Sequence, residues 1–297
     1  VAGGSDSMTL STGSTTALTI DSSQNTTLTG NLALSASSPQ INFSGSSGDY
    51  GTFGYTEADP DVFKWALFQN SGQIASITID AVSEASPSAR FRFNVGGDTD
   101  SAIVIDSSKR VGIGTDSPTQ LLHIASSTDA FIQLERVDTS VANNDAIGAI
   151  LFRGGESSIA DIGRIRLHAD ADFTSSSSPT KMIFETTPSG STVDAVALTI
   201  DSNQNVAIGK SALESTDSNW SSLELGGNGA LINHSASGAG KAFIVSQNAY
   251  MVSNNFNTGM DYMDTDEASC YLQHSGTHTF RVAGSGTADA SITWTDA

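Results

Sequence analysis

The chain of 297 residues contains one cysteine, Cys270, and six prolines. One thiol cannot close an intrachain disulfide, so stability does not rest on oxidation and assembly in a reducing cytoplasm is allowed. The 28 glycines follow no Gly-X-Y period, which excludes collagen, and so little proline argues against a Pro-rich linker. At 38% hydrophobic and 7% aromatic, the chain is short of large apolar side chains for its length, and Ser and Thr fill the gap. No run is apolar for long enough to span a bilayer, and residues 1–14 lack the basic and apolar regions of a signal peptide. Positive charge is scarce as well. With 13 Lys and Arg against 32 Asp and Glu, a formal charge of -19 repels phosphate backbones, and no basic stripe interleaved with aromatics compensates. Nucleic-acid binding and membrane insertion are therefore excluded as expectations.

Catalytic motifs are missing too. Gly-x-Ser-x-Gly and His-Glu-x-x-His do not occur, the five histidines are scattered, and Cys270 has no motif around it. Gly226-Gly227-Asn228-Gly229 leads into a strand-like run, ALINHS, so it reads as a turn and not as a phosphate cradle at a helix N-terminus. The expectation is a protein without catalytic residues, cofactor or resident metal.

What the chain does have is internal repetition. In AIVIDSSKRVGIGTDSP, residues 102–118, a short alternating strand carrying Ile103 and Ile105 meets Asp-Ser-Ser, a set that hydrogen-bonds its own backbone in turns. A second strand, Val111 and Ile113, then leaves through Gly112 and Gly114 towards a proline. The unit recurs as ALTIDSSQNTTLTG from Ala17 and as ALTIDSNQNVAIGK from Ala197, with Ile20, Ile105 and Ile200 as its shared isoleucines. Asp21, Asp106 and Asp201 are expected to cap the three turns while the isoleucines point inward. A fourth near-match, SITIDAVSEASP from Ser76, keeps the first strand and loses the second. Hairpins this small and polar cannot bury a core alone, so copies of the chain must cover them, and three chains about one axis are the simplest closure.

The run Ile-Asp-Ser-Ser…Val-Gly-Ile-Gly-Thr-x-Ser-Pro, followed by Leu121-Leu122-His123-Ile124, resembles the repeat of bacteriophage tail fibres, including those that mature with a C-terminal intramolecular chaperone. Residues 223–294 resemble stretches of such fibres as well. This chain departs from the repeat at the turn, where the usual Gly-Asn is Gln24-Asn25, Lys109-Arg110 and Gln204-Asn205. The resemblance implies an all-β, elongated homotrimeric fibre of short hairpin repeats, an intertwined β-helix or β-prism shaft with small antiparallel β-modules inserted. It implies a virion protein assembled in the host cytoplasm, with other tail or baseplate proteins and a host surface glycan as its further partners. It also implies a longer fibre, of which these residues are a part. Three functions are weighed: a non-enzymatic fibre that mediates or supports host attachment, a fibre-borne polysaccharide depolymerase, and a bacterial surface adhesin.

The expected order is a hairpin shaft segment at 1–32, an aromatic-containing module at 33–101, the central hairpin at 102–125, an antiparallel module at 126–196, a hairpin repeat at 197–212 and a C-terminal module at 213–297. In the second segment Tyr50, Phe53, Tyr55, Phe63, Trp65 and Phe68 crowd together beside Asp49, Glu57, Asp59 and Asp61. These rings read either as the core of a β-module or as a stacking surface for a neutral glycan, with Tyr50, Tyr55 and Trp65 as the contact candidates. In the fourth, FIQLERV, AIGAILFRG, IGRIRLHAD and KMIFETT read as four antiparallel strands, and only Asp194–Leu198 shows a weak helical period. Arg90/Arg92 and Arg164/Arg166 alternate with apolar residues as a solvated strand face would. Three acidic or histidine clusters invite a metal reading: His168, Asp170 and Asp172 on one face of an extended run; Asp261, Asp264, Asp266 and Glu267 without calcium-loop spacing; and His274 with His278. The two histidines flank a two-residue turn, Ser275-Gly276, which sends their rings to opposite faces.

Overall fold

In the computed structural model, residues 8–13, 15–28, 32–36, 38–44, 49–56, 62–69, 72–81, 89–96, 101–156, 158–214, 217–236 and 241–297 are described. Among them every regular element is a strand, as expected of short alternating segments broken by Asp, Asn, Ser and Gly. The chain divides into two units, Val1–Ile132 and Gln133–Ala297.

In the first unit, β1 (Met8–Thr12), β2 (Thr15–Ile20) and β3 (Thr26–Leu28) make a small antiparallel sheet. A second sheet runs in simple sequence order through β4 (Gln40–Ser44), β5 (Tyr50–Thr56), β6 (Val62–Gln69), β7 (Gly72–Ala81), β8 (Ala89–Val95), β9 (Ser101–Ile105), β10 (Val111–Ile113) and β11 (Leu122–Ile124). All its neighbours are antiparallel except β10 and β11, which pair parallel.

The second unit holds β12 (Ala146–Gly154), β13 (Ala160–Ala169), β14 (Thr180–Thr186), β15 (Ala195–Ile200), β16 (Val206–Ile208), β17 (Trp220–Leu225), β18 (Gly229–His234), β19 (Ala242–Gln247), the short pair β20 (Tyr250–Met251) and β21 (Met260–Asp261), then β22 (Ala268–His274), β23 (Thr277–Ala283) and β24 (Thr295–Asp296). All but β20 and β21 join one sheet in chain order. Of the segment Asp194–Leu198, residues 195–198 belong to β15 and not to a helical turn, because the run Ala-Val-Ala-Leu-Thr-Ile finds partners in β14 and β16. Of the four strands expected in residues 126–196, three form; FIQLERV at 131–137 belongs to no strand.

One buried cluster lies in the second unit. The chain after β19 folds back over the face of β17, β18, β19 and β22, packing Tyr250, Met251, Met260, Tyr262, Met263 and Ile292 against Trp220, Ile232, Ile244 and Leu272. Polar anchors hold this cover down. Trp220 Nε1 donates to the Ser253 carbonyl at 3.2 Å, Tyr262 OH to Gly284 O at 2.6 Å, and Tyr250 OH to Asp289 Oδ1 at 3.0 Å. The fully buried Asn248 donates to the carbonyls of Asp264 and Glu267 and accepts from the Asp264 amide.

The arginines correct the reading of a solvated face. Arg90 and Arg92 both reach Asp80 at 3.1 Å, and that carboxylate is only 2% exposed. Asp80 faces Arg90 directly across β7 and β8, so the pair is a cross-strand contact that the neighbouring strands shield. Asp80 occupies the Asp position of the fourth near-repeat, yet it lies inside a strand and holds two guanidiniums instead of a turn. Arg164 and Arg166 likewise contact the buried Glu185, and Arg164 also contacts Asp194.

Candidate functional site

The three repeats share one turn geometry. Each closes with a bond from the Asp amide to the carbonyl four residues on, 3.0 Å in all three, and a return bond from the residue before it to the Asp carbonyl. That leaves a three-residue loop whose last residue sits in the left-handed region: Gln24 at φ 66°, Lys109 at 63° and Gln204 at 66°. Asp106 Oδ1 accepts from the amides of Ser108 and Arg110, both at 2.9 Å, and Oδ2 from Arg110 Nε at 2.8 Å. Asp21 and Asp201 repeat this, with Asn25 and Asn205 in place of Arg110. Hydrogen bonds from Asn25 hold the Asp21 carboxyl below the usual range, and those from Arg110, with its charge, do the same for Asp106.

Beyond the turn, the second and third repeats continue alike. Gly114 and Gly209, at φ 71° and 74°, each donate to the carbonyl of an alanine opposite, and a parallel strand follows, β11 on β10 and β17 on β16. Gly114 cannot be replaced without movement, since a Cβ there would lie 2.2 Å from Ala125 O; one on Gly112 would lie 2.3 Å from Thr115 O.

The isoleucines lead to the dominant surface feature. Residues directly opposite one another on neighbouring strands share a face, so the registers define rows. Across the second sheet one row reads Ile41, Phe53, Trp65, Ile77, Phe93, Ile103, Ile113 and Ile124, with no polar residue in eight strands. The row beside it contains Tyr55, Phe63, Ile79, Phe91, Ile105, Val111 and Leu122. This face is open on the single chain: Trp65 is 55% exposed and Ile105 39%. Two apolar depressions mark it, one of about 280 Å³ between Trp65, Ile77 and Phe93 and one of about 580 Å³ between Ile41, Phe53 and Trp65. The reverse face has the row Asn42, Thr52, Ala66, Ser76, Asn94 and Ser101, in which Asn94 Nδ2 donates to Ser76 Oγ at 2.9 Å.

The third sheet is built the same way. Leu167, Met182, Ile200, Val206, Leu223, Leu231, Val245, Tyr271 and Phe280 form one row across nine strands. Ile200 thus stands on an open apolar face as Ile105 does, while the buried cluster described above lies on the opposite side.

The three glycan-contact candidates do not share a surface. Tyr55 and Trp65 belong to the apolar face, whereas Tyr50 lies opposite Phe68 in alternate register and stacks on it at 4.5 Å. Of the acids beside them, Glu57, Asp59 and Asp61 lie outside the described residues.

The metal candidates disperse. His168 Nδ1 contacts Asn144 O, Asp170 takes Ser202 and Lys181, and Asp172 accepts from the Asn143 amide. Asp264 and Asp266 each accept from the amide of the next residue. The His274 hairpin has the register read from the sequence, Gln273 opposite His278 and His274 opposite Thr277, with Ser275 and Gly276 both at positive φ. His274 packs on Phe256 and His278 on Tyr271, on opposite faces. Among the described residues no group of three or more His, Cys, Asp or Glu is placed to hold a metal ion.

No protein-family model matches the chain, and no curated protein does. Among solved structures, it is similar to the carboxy-terminal domain of the bacteriophage T5 L-shaped tail fibre at 12% identity, covering 50% of this chain and 76% of that one with a TM-score of 0.24. The same domain with its intramolecular chaperone domain gives 12% identity, 50% and 53% coverage and a TM-score of 0.24. Likeness at that level assigns no role to any residue here.

Proposed function

We propose that this chain is a structural, non-catalytic segment of a bacteriophage tail fibre, a parallel homotrimer that mediates or supports attachment to the host. The observation that carries the reading is the pair of uninterrupted apolar rows left open, one on each of the two large sheets. Monomeric soluble proteins rarely leave apolar patches of more than a few hundred Å² bare. Trp65 at 55% and Leu67 at 50% exposed on the second sheet, and Phe280 at 62% on the third, mark such a patch on each. Covering these patches with further copies of the same chain needs no other protein, and three copies close the assembly about one axis. The tail-fibre assignment itself rests on the repeat Ile-Asp-Ser-Ser…Val-Gly-Ile-Gly-Thr.

Sedimentation equilibrium of the folded chain tests the assembly. Three times the 30.7 kDa chain mass is expected; a stable monomer or dimer overturns the trimer. Release of new reducing ends from capsule or lipopolysaccharide would overturn the non-catalytic part of the reading.

A further inference from the structure

Between β11 and β12 runs a stretch of 21 residues with no strand of its own, long for a connection inside a folded domain. Its middle, Phe131-Ile132-Gln133-Leu134-Glu135-Arg136-Val137, has the composition of a strand. Phe131 is 81% exposed and Val137 92%. The one backbone hydrogen bond found in this segment among the described residues is local, from the Asp138 amide to Arg136 O. A second unpaired element stands beside it. β12, nine residues long, ends its sheet, and among the described residues no strand pairs with its outer edge. Its Ile150, Leu151 and Phe152 are each about half exposed.

The segment passes its own β12 without using that edge. Leu134 Cβ lies 3.2 Å from where a Cβ on Gly148 would stand, and Arg136 Nη1 donates to Ala146 O at 3.0 Å. Asp138 and Asp145 hold the same guanidinium. The segment makes these contacts through its side chains and none through its own backbone, although the Arg136 guanidinium takes the Ala146 carbonyl of β12.

We propose that residues 131–137 of one copy add as a β-strand to the free edge of β12 in a neighbouring copy. This rests on the self-association proposed above and names the element that would interlock the copies. Each chain offers one unpaired segment of strand-like composition and one long sheet edge. Passing the segment to the next copy pairs the backbone groups that the two turn towards each other, which a bare edge otherwise leaves open to indiscriminate pairing. Such a contact is head-to-tail, and about a three-fold axis it closes into a ring. The apolar side chains exposed along the segment then gain a neighbour.

The test uses the full chain with two readouts. Two differently tagged chains, one with Gln133→Cys and one with Leu151→Cys, are refolded together and treated with a bismaleimide. The resident Cys270 does not compete, because burial pushes its thiol up to about 11. A cross-link joining the two tags arises only between copies. Hydrogen exchange is followed on the unmodified assembly. The expected result is a trimer in which the two tags are joined and alternate amides of residues 132–137, those turned to β12, exchange about a hundredfold slower than free peptide. A trimer whose segment exchanges like free peptide overturns the strand, and protection without any cross-link between tags places the pairing inside one chain and overturns the exchange. A monomer in sedimentation overturns the trimer itself.

Discussion

At the scale of single residues, three positions do with ordinary side chains what glycine does without strain. Gln24, Lys109 and Gln204 hold the left-handed conformation that closes the three-residue loops. The left-handed region costs an L-residue about 1–2 kcal/mol, and glycine gives part of that back through its freedom in the unfolded chain. Lys109→Gly and Gln204→Gly should therefore each stabilise the protein by a net ~0.5–1 kcal/mol, read as a higher urea midpoint at unchanged slope. The aspartates of these turns set a pH dependence. Asp21 and Asp106 have carboxyls lowered by hydrogen bonds made only in the folded turn, so their contribution is present above the unfolded carboxyl value. It is lost as the pH falls from about 4 through the folded values. Protection of the Ser108 and Arg110 amides, relative to their intrinsic exchange at the same pH, should fall in that window; protection unchanged down to the end of acid titration would show that Asp106 does not hold the turn.

The elements show why some of this was legible in the residues and some was not. Local rules worked wherever the chain itself supplies the partner. Asp-Ser-Ser gave the turns, Ser275-Gly276 gave the register of β22 and β23, and alternating apolar residues gave strands at 146–154, 160–169 and 180–186. They failed where a partner distant in sequence decides. Arg90 and Arg92 read as solvated because nothing near them announces that Asp80, ten residues back, faces them across a strand. FIQLERV read as a strand, but pattern cannot supply an edge to pair with. The grouping of Tyr50 with Tyr55 and Trp65 failed on parity, since an odd separation puts side chains on opposite faces of a strand. The Asp80 cluster gives an energetic test at this scale. Asp80→Ala leaves two guanidiniums, 26% and 15% exposed, without their shared anion. Removing one partner from a buried pair costs about 3–5 kcal/mol, and because these arginines retain some water the loss should fall near 3 kcal/mol. Thermal unfolding measures it; a change under about 1 kcal/mol would place the cluster among exposed ion pairs of little worth.

For the whole molecule the two faces of each sheet make opposite predictions, and this separates an interface from a surface that is merely apolar. If copies meet through the rows containing Trp65 and Ile105, a carboxylate there is buried three times over, near its own symmetry mates and away from any cation, at a cost no short side chain can recover. Trp65→Glu and Ile105→Glu should each leave folded monomers, with strand content by circular dichroism close to that of the parent, because the single chain already exposes both positions. On the reverse face Asn42→Glu adds the same charge in the row of small polar residues and should sediment as the parent does. Ionic strength supplies an independent axis. Each copy brings a formal charge of -19, so assembly gathers like charge that salt screens over about 8 Å at physiological strength, while the apolar contact is untouched by screening. The assembly should therefore tighten as salt rises, the reverse of an interface held by ion pairs. Weakening with salt, or an Ile105→Glu protein that remains trimeric, would move the contact between copies off the apolar face.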